Sequence, residues 1–84
     1  MNTSNTKKLE WACRRGMLEL DVLLNNFLKE VYPSLSEQDK LCFIELLTYQ
    51  DPVLFDYLLG RVVPEDANIA KIVEAIRAHA KSRI

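Results

Sequence analysis

"MLELDVLLNNFLKEV", residues 17–31, decides the fold class of this 84-residue chain. Apolar residues at positions 17, 20, 23, 24, 27, 28 and 31 line one face of an α-helix over four turns. Pro33 lacks a backbone donor and biases the preceding residue away from helical geometry, so this helix should end near Tyr32. No alternating run of β-branched or aromatic residues elsewhere predicts a strand.

The segments that flank this helix have the same helical period. A short helix is expected over residues 5–14, with Leu9 and either Trp11 or Ala12 facing inward. After Pro33, either Ser34 with Glu37 or Ser36 with Asp39 has capping-box spacing and should begin a helix that runs to about Tyr49. The apolar face of that helix is wide, which predicts a central position; it comprises Leu41, Phe43, Ile44, Leu46 and Leu47.

Two further helices complete the chain. Asp51 is predicted as an N-cap, with Pro52 at the first helical position and Gly60 at the C-terminal end. Pro64 and Asp66 should open the last helix. The apolar residues of these two helices are Leu54, Phe55, Leu58 and Leu59, then Ile69, Ile72, Val73, Ile76 and Ala80. The sequence therefore predicts an all-α protein, a small five-helix bundle forming one domain over residues 1–84, with residues 1–6 disordered.

The composition restricts the function classes. Eleven lysines and arginines balance twelve aspartates and glutamates, so the basic footprint of a nucleic-acid-binding protein is missing. No apolar run approaches the ~20 residues that cross a bilayer, and the first residues have no signal-peptide core. Cys13 and Cys42 are expected to be free thiols, which together with the missing signal predicts a cytoplasmic protein.

A catalytic set is not apparent. His79 is expected in the last turn of a helix, where it would complement the helix dipole. Glu19 and Asp21 are two positions apart, hence about 200° apart around a helix, and cannot form an acid–base pair. Two cysteines and one histidine do not make a zinc set, and two glycines 44 residues apart make no phosphate loop. Neither enzymatic activity nor a bound metal is expected.

The stretch "RRGMLELD", residues 14–21, allows two interpretations. Gly16 could be the left-handed C-cap of a first helix that ends at Arg15. Alternatively, Arg15 and Glu19 flank a notch of bare backbone, where the missing Cβ of Gly16 lets the backbone of a partner come close. The arginine would then offer its planar fork to acidic or carbonyl groups.

A family resemblance bears on this choice. "WACRRGMLELD" resembles the signature of the small FAD assembly factors of succinate dehydrogenase (the SdhE or YgfY type, also called succinate dehydrogenase assembly factor 2). The hallmark of that family, Arg-Gly-x-x-Glu, is Arg15, Gly16 and Glu19 here. A second block, "SLSEQDKLCFIELLTYQDPVLFDYLLG", is similar to the Asp-Pro block of the family, although Tyr57 stands where tryptophan is frequent. The likeness covers roughly residues 7–80.

The resemblance implies a five-helix bundle that promotes covalent attachment of FAD to the flavoprotein subunit of succinate dehydrogenase or fumarate reductase. The flavin becomes linked to a histidine of that subunit, so this chain would bind no cofactor stably and would act as a chaperone-like monomer. Its partner-binding residues would be Arg15, Gly16 and Glu19, with Met17 as an apolar contact and Arg14 and Asp21 as a rim. On this view Arg15 pairs with acidic or carbonyl groups of the partner, and Glu19 either orients Arg15 or meets a basic partner residue. Both would contribute little to stability.

Two other functions remain open at this point. Family members have also been labelled antitoxin-like proteins, which would make the chain a regulatory module acting on unrelated partners. Direct carriage of FAD is the other possibility, but its diphosphate requires a glycine-rich turn at a helix N-terminus, which a single glycine does not supply.

Overall fold

The computed structural model describes the backbone of residues 3–82 and the side chains of residues 7–82. Within that part of the chain, five α-helices follow one another: α1 (Thr3–Ala12), α2 (Leu18–Glu30), α3 (Glu37–Leu46), α4 (Asp51–Leu58) and α5 (Ala67–Ser82). A 3₁₀ turn, Tyr32–Ser34, carries Pro33 between α2 and α3. The predicted all-α five-helix bundle is confirmed.

The predicted disorder over residues 1–6 stays a prediction. Residues 1 and 2 lie outside the described residues, whereas the backbone of residues 3–6 belongs to α1.

The core is built around α5, which packs against α2, α3 and α4. α2 contributes Leu20, Leu24, Phe27 and Leu28, as its period predicts, and the Phe27 ring meets the Phe43 ring of α3 at a centroid distance of 5.5 Å. The predicted central position of α3 is therefore wrong. Its wide apolar stripe is buried on one side only, since Leu41 and Ile44 are exposed.

Helix caps decide where the last three helices begin. Ser36 is the N-cap of α3, and its Oγ accepts a hydrogen bond from the Asp39 N–H at 3.1 Å, which selects one of the two capping alternatives. Asp66 caps α5, with its Oδ1 2.8 Å from the Asn68 nitrogen. The prediction of Asp51 as a cap is wrong by one residue, because Gln50 is the N-cap of α4 and Asp51 lies in the first turn.

The first helix departs most from expectation. α1 ends at Ala12 instead of Arg14 or Arg15, with closing bonds from Cys13 N–H to the Leu9 carbonyl and from Arg14 N–H to the Trp11 carbonyl. Leu9 and Ala12 pack against the core, whereas Trp11 is exposed. Residues 13–17 consequently form a loop that joins α1 to α2.

Candidate functional site

The loop between α1 and α2 presents Gly16 in a left-handed conformation, with φ +81°. Gly16 is exposed, and no atom outside its chain neighbours lies within 4 Å of the position that a Cβ would occupy. Because α1 ends at Ala12, Gly16 is not its C-cap, and that interpretation is corrected. The positive φ is nevertheless confirmed, and the open space matches the predicted notch of bare backbone.

Arg15, beside Gly16, turns back into its own chain. Its Nη2 donates to the carbonyl oxygens of Leu47 at 2.8 Å and Tyr49 at 2.7 Å, and its Nη1 donates to the Ala12 carbonyl at 3.1 Å. Nε lies 3.1 Å from Oδ1 of Asp51, an ion-pair contact whose N–H is not aligned for a hydrogen bond. One guanidinium thus joins the end of α1, the α3–α4 turn and the first residue of α4.

This placement corrects the predicted exposure of Arg15. Only 15% of its side chain is exposed, and the acidic and carbonyl groups that it was expected to find on a partner are supplied by its own chain. The fork is therefore satisfied within the chain itself, and binding of Arg15 to a partner stays a prediction. The ion pair between Arg15 and Asp51 could not be predicted from the sequence while the Asp51 carboxylate was interpreted as the N-cap of α4.

Asp21 also has an internal role instead of the predicted rim position. Its Oδ1 accepts the backbone N–H of Arg15 at 2.6 Å, and it lies in the first turn of α2, where a carboxylate complements the helix dipole. This bond uses the Arg15 N–H that a longer α1 would need, which explains why the helix stops before the loop. Asp21 and Asp51, rather than Glu19, hold Arg15 in position.

The remaining predicted residues surround Gly16 on the outside. Glu19 is exposed and makes no ion pair with Arg15. Met17 is the N-cap residue of α2 and packs partly against the core. Arg14 is exposed, with its guanidinium 5.7 Å from the centre of the Trp11 ring. The outward surface of the motif therefore consists of Arg14, Gly16 and Glu19, supported by Met17.

An apolar groove of about 430 Å³ adjoins this surface and was not predicted. It is lined by Leu18, Glu19, Val22, Leu23 and Leu59. The sequence contains a signal for it, because Leu18 and Val22 are four residues apart and fall off the buried stripe of α2. Leu59, which was expected in the core, is 41% exposed because it follows the last residue of α4.

Other titratable groups lie apart from this loop or are buried beneath it. Burial raises the pKa of the Cys13 thiol to about 12, and Cys13 and Cys42 are both free cysteines. His79 lies in the last turn of α5, as predicted, with Nε2 2.8 Å from Oε1 of Glu30. Over the described side chains, no three His, Cys, Asp or Glu residues converge as metal ligands would.

Comparison with known proteins assigns the chain to a family. The model of the Sdh5 family, described as flavinator of succinate dehydrogenase, matches residues 7–80. The chain belongs to this family. Its function is accordingly that of an FAD assembly factor of succinate dehydrogenase.

Curated relatives agree with this assignment. The FAD assembly factor SdhE of Coxiella burnetii is 49% identical over 72 residues, covering 86% of this chain and 88% of the relative. The SdhE of Shewanella oneidensis is 46% identical over 80 residues, covering 95% and 98%. The solution structure of a UPF0350 protein superposes with a TM-score of 0.80 at 42% identity, over 99% of this chain and 89% of the other.

The family match includes the whole candidate site. Residues 14–21, the α3–α4 turn that receives the Arg15 fork, and Leu59 all fall within residues 7–80. None of the helices described between residues 3 and 82 combines the length and apolar character that crossing a membrane requires.

Proposed function

We propose that this chain binds the flavoprotein subunit of succinate dehydrogenase through the surface of Arg14, Gly16 and Glu19, and promotes covalent attachment of FAD to a histidine of that subunit. The observation that carries the proposal is Gly16, which is left-handed, exposed and unobstructed beside an exposed carboxylate. Such a site lets a partner's backbone approach closely while Glu19 receives a basic side chain.

The contribution of the chain to flavin attachment is conformational. The reacting atoms are those of the flavin and of the acceptor histidine, and both groups are held by the partner. A binder that stabilises the arrangement in which they lie close together raises the fraction of time spent in near-attack geometry. This role requires no catalytic group in the assembly factor, in keeping with the prediction that the chain is not itself an enzyme.

The loop that carries Gly16 is held rigidly from within, which suits this mechanism. Arg15 and Asp21 fix the loop from within, so Gly16 and Glu19 can be presented without reorganisation when the partner arrives. Arg15 and Asp21 thus act as positioning residues, and Gly16, Glu19, Met17 and Arg14 form the contact surface. The flavoprotein of fumarate reductase is proposed as a second partner, and the assembly factor is proposed to work as a cytoplasmic monomer.

The two other functions receive less support. The relatives are named as FAD assembly factors, which disfavours an antitoxin-like module. Direct carriage of FAD is disfavoured by charge, because Glu19 would repel the diphosphate at the groove.

Reconstitution with purified components tests the proposed function. Apo flavoprotein is incubated with FAD, with and without the chain, and covalent flavin is detected by its fluorescence on a denaturing gel. We expect flavin fluorescence to appear faster with the chain. A control with FAD but without flavoprotein should show no covalent flavin on the chain itself. Equal rates with and without the chain would contradict the proposal. The same assay with the fumarate reductase flavoprotein tests the second partner, and light scattering tests the monomer.

A further inference from the structure

Three large apolar side chains are exposed at one groove of the molecule. Leu18, the first residue of α2, is 78% exposed; Val22, one turn later, is 47% exposed; and Leu59, just after α4, is 41% exposed. Isolated apolar residues are ordinary on a protein surface, but several that line one depression mark an interaction site. Leu18 is largely in contact with solvent, and Val22 and Leu59 are each a little under half exposed.

The groove is continuous with the Gly16 surface along the chain. Leu18 follows Gly16 by two residues, a separation of at most about 7 Å between Cα atoms, and Glu19 lines the groove directly. A partner whose backbone approaches Gly16 therefore has an apolar depression beside it. Interfaces draw most of their energy from such buried apolar anchors within a polar rim.

We propose that the groove of Leu18, Val22, Leu23 and Leu59 receives an apolar segment of the flavoprotein, and that a lysine or arginine next to that segment meets Glu19. This inference rests on the proposed function and adds the anchor that the Arg-Gly-x-x-Glu surface lacks. Among the described residues that line the groove, Glu19 is the only charged one, so a cation on the partner is the complement that it selects.

The same carboxylate argues against other occupants. A two-fold dimer that used this patch would place two Glu19 carboxylates in one small apolar interface, with no cation from the groove to offset them. An anionic lipid surface and the FAD diphosphate would be repelled as well. A basic, apolar protein segment satisfies both the groove and its charge.

Calorimetry against the apo flavoprotein tests the groove. Leu18→Ala and Val22→Ala should each weaken binding about tenfold or more, and Glu19→Gln should weaken it and reduce its dependence on salt. Leu41→Ala is the matched control, since Leu41 is 65% exposed on α3 and lies outside the groove. It should bind like the wild type. Because the four substituted residues are all exposed, the four variants should melt at or near the wild-type temperature.

The outcomes distinguish a failure of the proposed groove contact from a failure of the proposed function. If the wild type binds and the Leu18→Ala/Val22→Ala double variant binds equally well, the proposal that the groove receives a flavoprotein segment is overturned, and the proposed function stands. If the wild type does not bind, both are overturned. The wild type could also form concentration-dependent dimers that the double variant does not form, with no change in affinity for the flavoprotein. That result would assign the groove to a second copy of the chain and overturn the proposal.

Discussion

At the scale of single residues, Arg15 and Gly16 of the Arg-Gly-x-x-Glu motif are adjacent in sequence but face opposite directions. Arg15 faces inward, and its three hydrogen bonds and one ion pair connect parts of the chain that are more than 30 residues apart. Gly16 faces outward with free space around it. A motif of consecutive residues can therefore combine a support and a contact surface, and substitutions at the two positions should fail for different reasons.

Substitutions of Gly16 separate backbone strain from steric block. Gly16→Ala and Gly16→Arg both place a Cβ at φ +81°, and each should lose roughly 1–2 kcal/mol of stability. Neither should clash within the chain, because the space is open. Only the arginine is long enough to obstruct a partner, so it should abolish flavoprotein binding while alanine retains most of it. Chemical denaturation and calorimetry measure the two effects. Equal loss of binding in both variants would assign the defect to strain.

Arg15 is predicted to be a stability residue. Arg15→Ala leaves the carboxylate of Asp51 and the carbonyls of Leu47 and Tyr49 without their donor, which should cost about 2–3 kcal/mol in urea denaturation. Arg15→Lys should recover part of this loss, since an ammonium keeps the charge but not the fork.

Glu19→Ala is the control for Arg15, and it should melt like the wild type because Glu19 is exposed. If Arg15→Ala were as stable as Glu19→Ala, the internal contacts would contribute nothing, and the partner-facing role first expected for Arg15 would be restored.

At the scale of elements, sequence periodicity identified the helices but not every boundary or outer face. The buried stripe of α2 could be predicted because hydrophobic spacing encodes it directly. The end of α1 could not, because it depends on the Asp21 carboxylate taking the Arg15 N–H, a contact that a helical pattern does not encode. Leu18 and Val22 were visible as apolar residues, but only the position of Leu59 turns them into a groove.

The start of α3 gives a prediction at this scale. Ser36→Ala removes the oxygen that accepts the Asp39 N–H and should cost about 1 kcal/mol in thermal or urea unfolding. Ser34→Ala is the matched control, because the Ser34 hydroxyl instead donates to the Val31 carbonyl in the preceding turn and caps no helix. A larger loss for Ser34→Ala would favour the other capping alternative and contradict the observed cap.

At the scale of the whole molecule, the sequence predicted the helix count and most of the core because both depend on local periodicity. It misplaced the centre of the bundle because packing order depends on which faces meet. α5 contacts α2, α3 and α4 through buried residues that recur every three or four positions, whereas the apolar residues of α3 spread around the helix. The site divided in the same way: Gly16 and Glu19 are outward as predicted, whereas the direction of Arg15 depends on turns far along the chain.

The burial of Cys13 predicts how the stability of the whole fold responds to alkali. Its pKa of about 12 lies above the ordinary thiol value of 9.0, so between these values the unfolded chain releases a thiol proton that the folded chain retains. The free energy of unfolding should therefore be unaffected below about pH 9 and should fall above it, by at most about 1.4 kcal/mol per pH unit from this group. Burial also raises the pKa values of Tyr32 and Tyr49, but from 10.0, so urea denaturation between pH 8 and about pH 9.5 reports mainly on the thiols. Cys13→Ala should be less stable at pH 8 because of the cavity, yet the deficit should shrink as the pH rises.

Cys42→Ala, at the half-buried thiol, is the control and should retain most of the slope. Parallel curves for the wild type and Cys13→Ala would show that Cys13 does not stay protonated in the folded protein.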